Sequence, residues 1–285
     1  MAARPPGAPE AAAGVDGLRG ATPVEVLACR GGVRERRPDW LAEERPVALV
    51  VNGISQAVML ATPLDLEDFA LGFAFTEGWI ATPEELRSVE LQESAAGIEL
   101  QLEVSAASEW RLKERRRLLA GRTGCGLCGA ESLQQVRLPL PKLTPQPLHQ
   151  PLHPTARARA FAALQERQPL QRCTGAPHAA AWATPEGELR LVREDLGRHN
   201  ALDKLIGALL RQGRSPREEG FACITSRASF EMVQKAARAN IATVAAVSAP
   251  TQLAVQLAHD AGLLLLGFVR GTDWVAYTQL DRIKS

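Results

Sequence analysis

Two cysteines three residues apart, Cys125 and Cys128 in "GRTGCGLCGAESL", are the clearest chemical pair in the chain. Glycines surround both, and the basic run "KERRRLLAGR" comes just before them. A CxxC pair offers four chemistries: half of a zinc site, a disulfide, a redox couple, or a nucleophile that handles sulfur. A structural zinc needs four ligands, commonly two such pairs or a Cys pair with a His pair. Cys29, Cys173 and Cys223 are solitary, with Cys223 inside an apolar strand pattern that makes it core, and His149 and His153 sit among prolines. A disulfide is possible but would be reducible in a cytosol. A thioredoxin-like motif should follow a strand and open a helix; "GCGLCG" has neither feature. There remains a thiol loop near Arg115, Arg116, Arg117 and Arg122, whose positive charge favours the nucleophilic thiolate. The residues themselves reach a reactive thiol on a flexible arm and no further.

The segment "REDLGRHNALDKLIG", residues 193–207, concentrates polar side chains where a strand turns into a helix. Asp195, Arg198, His199 and Asn200 crowd that turn, and Asp203 and Lys204 follow one turn on. A His–Asp pair could do general acid–base work, although the spacing is not diagnostic of it. The plain alternative is a capped helix start with solvated charges, the state expected of Asp203 and Lys204. Farther on, Ser226 and Arg227 follow "FACIT", Ser248, Pro250 and Thr251 follow "TVAAV", and Arg270 and Gly271 end "LLLLGFV". In open α/β sheets the carboxyl ends of strands form the ligand crevice, and helix N-termini there favour anions. Hydroxyls plus two arginines at one edge suit a phosphate-bearing ligand. The bland reading is that Ser229 and Thr251 cap the helices they precede.

The elements that must position these groups have a readable rhythm. "RPVALVVNGISQAVMLAT" resembles two strands about a turn at Asn52–Gly53. "DLEDFALGFAFTEGWI" has helical spacing, and "SVELQES" with "IELQLEV" forms a second hairpin. After the proline-rich "RLPLPKLTPQPLHQPLHP" comes a helix in "TARARAFAALQERQ", with Thr155 as its cap. Strands flanking the turn "PEG" follow, then strands alternating with helices, as in βαβ units of a parallel sheet covered on both faces. The expected organisation is a disordered tail over 1–23, an N-terminal α+β domain over 24–135 ending in the cysteine loop, a Pro-rich connection over 136–154, and an α/β ligand-binding domain over 155–285.

Of 285 residues, 46% are hydrophobic, enough for one or two buried cores. Lys+Arg (33) nearly balances Asp+Glu (32), so no global basicity argues for nucleic acid. No run approaches the apolar length of a membrane span, and the N-terminus lacks the apolar region of a secretory signal. Five cysteines, an odd number without framework spacing, fit a reducing cytoplasm.

Three stretches in order, "GRTGCGLCG", "EDLGRHNALDKLIG" and "TSRASFEMVQKAARANIATVAAVSAPT", strongly resemble the formate dehydrogenase accessory sulfurtransferase family, FdhD. The resemblance runs from about Val24 onward. It implies a cytidine-deaminase-like layered α/β domain joined to a smaller domain, in a homodimer. It implies a sulfurtransferase that takes persulfide sulfur from a cysteine desulfurase and passes it to the molybdenum cofactor, bis(molybdopterin guanine dinucleotide), before insertion into formate dehydrogenase. The first cysteine of the motif, Cys125, would carry the persulfide, with Cys128 assisting. The family's cofactor-contact segment corresponds to Phe268, Val269, Arg270, Gly271, Thr272 and Asp273. With Arg227, Ser248, Thr251 and His199 these are the candidate cofactor-binding residues; no permanent metal is expected. Two alternatives stand beside this reading. One is a cofactor chaperone without chemistry of its own. The other is a zinc deaminase, whose paired H-x-E and P-C-x-x-C are not found here: no His precedes a Glu by two, and glycine precedes Cys125.

Overall fold

The computed structural model describes residues 18–120, 154–213 and 220–283. Cys125, Cys128, Arg122, His149, His153, nearly all of the proline-rich connection and most of the expected N-terminal tail lie outside the described residues. β1 (Ala21–Arg30) and β2 (Val33–Ala42) form a separate antiparallel ribbon. Its pairing begins at Ala21, so the last residues assigned to a tail are paired strand.

Alternation and turn chemistry build the next unit. β3 (Arg45–Val51) and β4 (Ile54–Ala61) pair antiparallel about Asn52 and Gly53, with φ of 46° and 78°. Two consecutive left-handed residues are what a two-residue turn between twisted strands requires. β5 (Leu86–Ser94) and β6 (Gly97–Val104) form the second hairpin, and β6 pairs parallel with β3, giving the order β4-β3-β6-β5. Val47, Leu49, Leu100 and Leu102 face α1 (Leu66–Thr76), which buries Phe69 and Phe73 on them. α1 is apolar nearly all round because its other side is covered too.

The C-terminal sheet is mixed: the strands that alternate with helices are parallel, as expected, and antiparallel pairings flank them on both sides. Its order is β12-β11-β10-β9-β7-β8. β9 (Phe221–Ile224), β10 (Thr243–Ala246) and β11 (Leu264–Arg270) run parallel, joined by α6 (Phe230–Arg238) and α7 (Gln252–Ala261). β7 (His178–Ala183) and β8 (Leu189–Asp195) form a hairpin laid antiparallel against β9, and β12 (Asp273–Ala276) turns back on β11. Connections this short reverse the chain, whereas parallel neighbours need a crossover helix. β8 therefore runs with β9, and four strands end at one edge of the sheet. Three helices cover one face: α5 (Arg198–Arg211), α6 and α7, packed on Ala180, Trp182, Ala222, Ile224, Val244 and Leu265. The other face receives α3 (Pro154–Glu166), whose Phe161 and Leu164 meet Ala181, Phe221, Cys223 and Leu264. Thr155 falls inside this helix, one residue past its start. Cys223 is core, and burial pushes its thiol pKa well up.

The two halves of the chain join where α1 crosses α5. A Cβ on Gly72 would lie 1.8 Å from the Asp203 carbonyl oxygen, and one on Gly207 1.9 Å from that of Asp68. Each glycine thus admits the other helix's backbone, and rigid backbone cannot yield as a side chain tip can. Gly72→Ala and Gly207→Ala should each destabilise the protein by about 3 kcal/mol or more, the upper end of overpacking costs. Urea unfolding checks this; a midpoint within error of wild type in either variant would contradict the crossing.

Candidate functional site

The polar run at 193–207 is buried, not solvated. Asp195 ends β8 with no exposure and answers five groups. Oδ2 accepts from the Thr62 N–H and hydroxyl, both at 3.0 Å, and faces Lys204 Nζ at 2.7 Å. Oδ1 accepts from the Gly197 N–H at 2.8 Å and from Asn200 Nδ2 at 3.1 Å. Lys204 also donates to the Thr62 hydroxyl and carbonyl, and Asn200 to the Leu60 carbonyl. Burial lowers the Lys204 pKa, and the Asp195 carboxylate opposes that shift. A second knot lies beside it, at Asp203, the residue before Lys204. Asp203 accepts from the Thr76 hydroxyl at 2.7 Å and meets Lys235 Nζ at 3.0 Å, which also reaches Glu77 at 2.8 Å. Burial pushes Asp203 up to about 6. Lys235, which burial alone would depress, is raised by Asp203 and Glu77. The bonds to Leu60, Thr62, Thr76 and Glu77 tie the C-terminal half to the segments flanking α1.

The His–Asp pair that the sequence allowed, without diagnosing it, does not form between His199 and Asp195. His199 Nε2 lies 2.7 Å from Glu231 Oε2, across the gap between the starts of α5 and α6. Asp195 is spent on Lys204. The aspartate therefore fixes the turn, and the histidine faces another helix.

The candidate ligand site is the edge where β8, β9, β10 and β11 end. The loops after these strands are laced together. Ala179 N–H bonds the Thr225 hydroxyl at 2.9 Å, the Thr251 N–H bonds the Ala228 carbonyl at 3.0 Å, and the Phe268 N–H bonds the Ser248 carbonyl at 3.3 Å. Ser226, Arg227, Ser229, Ser248, Thr251, Phe268 and Arg270 are thus brought to one edge, as expected. α5, α6 and α7 begin there, so three helix N-termini present their positive ends along it. Thr251 caps α7 by accepting from the Ala254 N–H at 3.3 Å. Ser229 stands at the N-cap of α6 yet makes no capping bond, and its buried hydroxyl has no partner among the described residues. The capping expectation holds for Thr251 and fails for Ser229.

Phe268 is the strained residue of the edge. Its φ is +53° at a bulge between Gly267 and Arg270, and the residue is 43% exposed. A bulky, exposed residue held in left-handed backbone is the sort of cost that functional sites keep. Gly267 permits the approach of the neighbouring loop, since a Cβ there would meet Pro250 Cδ at 3.0 Å. Arg270, Gly271, Thr272 and Asp273 follow as an exposed turn, whereas Val269 points into the core.

His178 was not singled out by sequence. It pairs with Asp195 across the β7–β8 hairpin, which sets it beside the same edge. Burial and the Arg198 charge lower its pKa. The hairpin register around "PEG" was the signal that could have found it. Glu231 was hidden inside a helical pattern.

α2 (Ala106–Ala120), which carries Arg115, Arg116 and Arg117 on its backbone, precedes Cys125 and Cys128 in the chain; both cysteines lie outside the described residues. The start of α2 is held down: Ser105 accepts the Ser108 N–H, Glu85 accepts from Ser108 and Arg111, and Asn52 donates to Glu109. Among the described residues no three His, Cys, Asp or Glu side chains gather as a metal site needs, and no helix is long and apolar enough to cross a membrane.

Comparison with known proteins adds a family. The model of the FdhD/NarQ family matches residues 42–284. A protein of Bordetella bronchiseptica named sulfur carrier protein FdhD is 53% identical over 265 residues, covering 91% of this chain and 94% of that one. Its namesake from Variovorax paradoxus is 58% identical over 245 residues, covering 86% and 87%. Among solved structures, one assigned to a formate dehydrogenase accessory protein of Desulfotalea psychrophila shares the fold. Its TM-score is 0.70 at 24% identity, over 93% of this chain and 99% of that one.

The His199 environment has a consequence for stability. Burial holds its pKa at about 4 against the ordinary 6.5, with Arg198 and Lys235 adding to the effect and Glu231 opposing it. Above pH 6.5 both folded and unfolded chains carry it neutral, and its contribution is complete. As pH falls toward 4 the unfolded chain takes up a proton that the folded one refuses, and stability is lost. His199→Gln should flatten the fall of the urea midpoint over that window. An unchanged slope would contradict the assignment.

Proposed function

Because the chain belongs to the FdhD/NarQ family, we propose that it is a cytoplasmic sulfur carrier acting on the molybdenum cofactor of formate dehydrogenase. In this reading the Cys125 thiolate attacks the terminal sulfur of a persulfide on a cysteine desulfurase. The S–S bond of the donor breaks, the donor leaves as thiolate, and Cys125 keeps the sulfur as a persulfide. Cys128 then either accepts that sulfur or attacks Cys125 Sγ. The second route closes a disulfide and releases the outer sulfur reduced by two electrons, after which a cellular thiol must reopen the pair. The arginines at the end of α2 and at Arg122 would favour thiolate at the start of this sequence.

The cargo proposed is bis(molybdopterin guanine dinucleotide), written here as substrate. The observation that carries this part is the edge itself. It combines three helix N-termini, the Arg227 and Arg270 guanidinium groups, the Ser248 hydroxyl and a buried Ser229 hydroxyl that nothing in the described chain uses. Those donors fit phosphate oxygens, and the exposed Phe268 offers a ring face on which a base can stack. Gly271, Thr272 and Asp273 lie on the same turn, Val269 contributes backbone only, and His199 stands at the α5 end. A homodimer and a cytidine-deaminase-like layering of the six-stranded sheet complete the proposal. Formate dehydrogenase is its proposed recipient.

Two variants test the two parts separately. Cys125→Ala should abolish activation of formate dehydrogenase in a strain lacking the wild-type gene, with the fold unchanged by circular dichroism; full activation would remove Cys125 from the mechanism. Arg270→Ala should weaken GDP binding about tenfold, the worth of one charge-assisted phosphate contact, while Cys125 still loads sulfur. Unaltered GDP affinity on calorimetry would move the phosphate site elsewhere.

A further inference from the structure

We propose that the facing starts of α5 and α6 form a diphosphate-binding subsite whose internal competitor is the Glu231 carboxylate. The inference rests on the phosphate-bearing cargo proposed above and assigns it a docking point and a gate.

Of the three helix N-termini on the edge, only that of α7 is capped by a side chain. α5 starts after Gly197, which has no side chain to offer, and α6 starts after Ser229, which does not use its own. These two uncapped ends are neighbours, because His199 in the first turn of α5 touches Glu231 in the first turn of α6. Each end carries roughly half a positive charge on free N–H groups. Arg198 adds a full charge, and its buried Nε has no partner among the described residues. Ser229 is 9% exposed, and its hydroxyl too is unpartnered there. A buried hydroxyl left unused carries an uncompensated desolvation cost, which a polar ligand at this helix end would relieve.

Among the described residues, Glu231 is the anion set between these two helix starts, and it differs from the donors in exposure. Its side chain is 62% exposed against 27% for His199. The carboxylate can rotate into water by giving up its contact with His199, while the donors stay where the fold holds them. His199 is faced by Arg198 on its own helix, by Glu231 and Lys235 on α6, and by Glu77 after α1. With Lys235 bound to Glu77 and Asp203, withdrawal of Glu231 leaves Arg198 and the two helix starts as the positive groups that meet a phosphate. Diphosphate entry and Glu231 exit are therefore one exchange.

The test is isothermal titration calorimetry of the full chain with inorganic pyrophosphate, GDP and guanosine at pH 7.5. Glu231→Gln should bind pyrophosphate about tenfold more tightly than wild type, the value of removing one competing charge-assisted contact, and Ser229→Ala should bind it several-fold more weakly. Guanosine, which lacks phosphate, should show no gain from Glu231→Gln. Equal or weaker pyrophosphate binding by Glu231→Gln, with an unchanged thermal midpoint, overturns the proposal; so does equal binding by Ser229→Ala. If pyrophosphate behaves as expected but GDP binds no more tightly than pyrophosphate, the subsite stands and the guanine-dinucleotide cargo falls.

Discussion

A carboxylate removed from water must be answered by charge and by hydrogen bonds, and at Asp195 that requirement organises the molecule. The side chain ends β8, turns the chain through Gly197 into α5, and reaches across to Thr62 at the end of β4. Lys204, equally buried, closes the ring from one turn farther along α5. Such a pair adds little net stability over an apolar substitute, but either member alone would be a bare buried charge. Its effect is to admit one arrangement of the two halves. The Asp203–Lys235 knot and the Gly72–Gly207 crossing repeat that constraint along the same seam.

The seam also sets the edge of the candidate site. The turn that Asp195 holds is the start of α5, and the lysine that Asp203 holds belongs to α6. The two uncapped N-termini are thereby fixed in register with each other, with His199 and Glu231 between them. The polar run at 193–207 is mostly the frame of the candidate site. The sulfur chemistry proposed for Cys125 lies outside the described residues, past α2 in the chain, a helix whose first turn is pinned by Glu85 and Asn52.

What sequence revealed follows from locality. The Asn52–Gly53 turn, the second hairpin, α1 and the β9–α6–β10–α7–β11 rhythm depend on neighbours in the chain, and all are present. That rhythm by itself is enough to put the strand ends on a common edge. The sense of β7 and β8 within the sheet, the burial of Asp203 and Lys204, and the nearness of His178 and Glu231 depend on partners far apart in sequence. Charges spaced one turn apart read equally as a solvated helix face or as two buried pairs. Only the close helix crossing at Gly72 and Gly207 decides between them. The positive φ of Phe268 was equally hidden, since nothing in "GFVRG" requires a bulge before the second glycine.

The central claim is that this framework serves sulfur carried on one cysteine. Its most direct measurement is mass spectrometry of the peptide containing Cys125 and Cys128 after the chain is incubated with a cysteine desulfurase and cysteine. One added sulfur atom, located on Cys125 and removed by a thiol reductant, is the result predicted. A peptide that stays unmodified while the desulfurase turns over would contradict the account and leave a cofactor-binding protein without sulfur chemistry of its own.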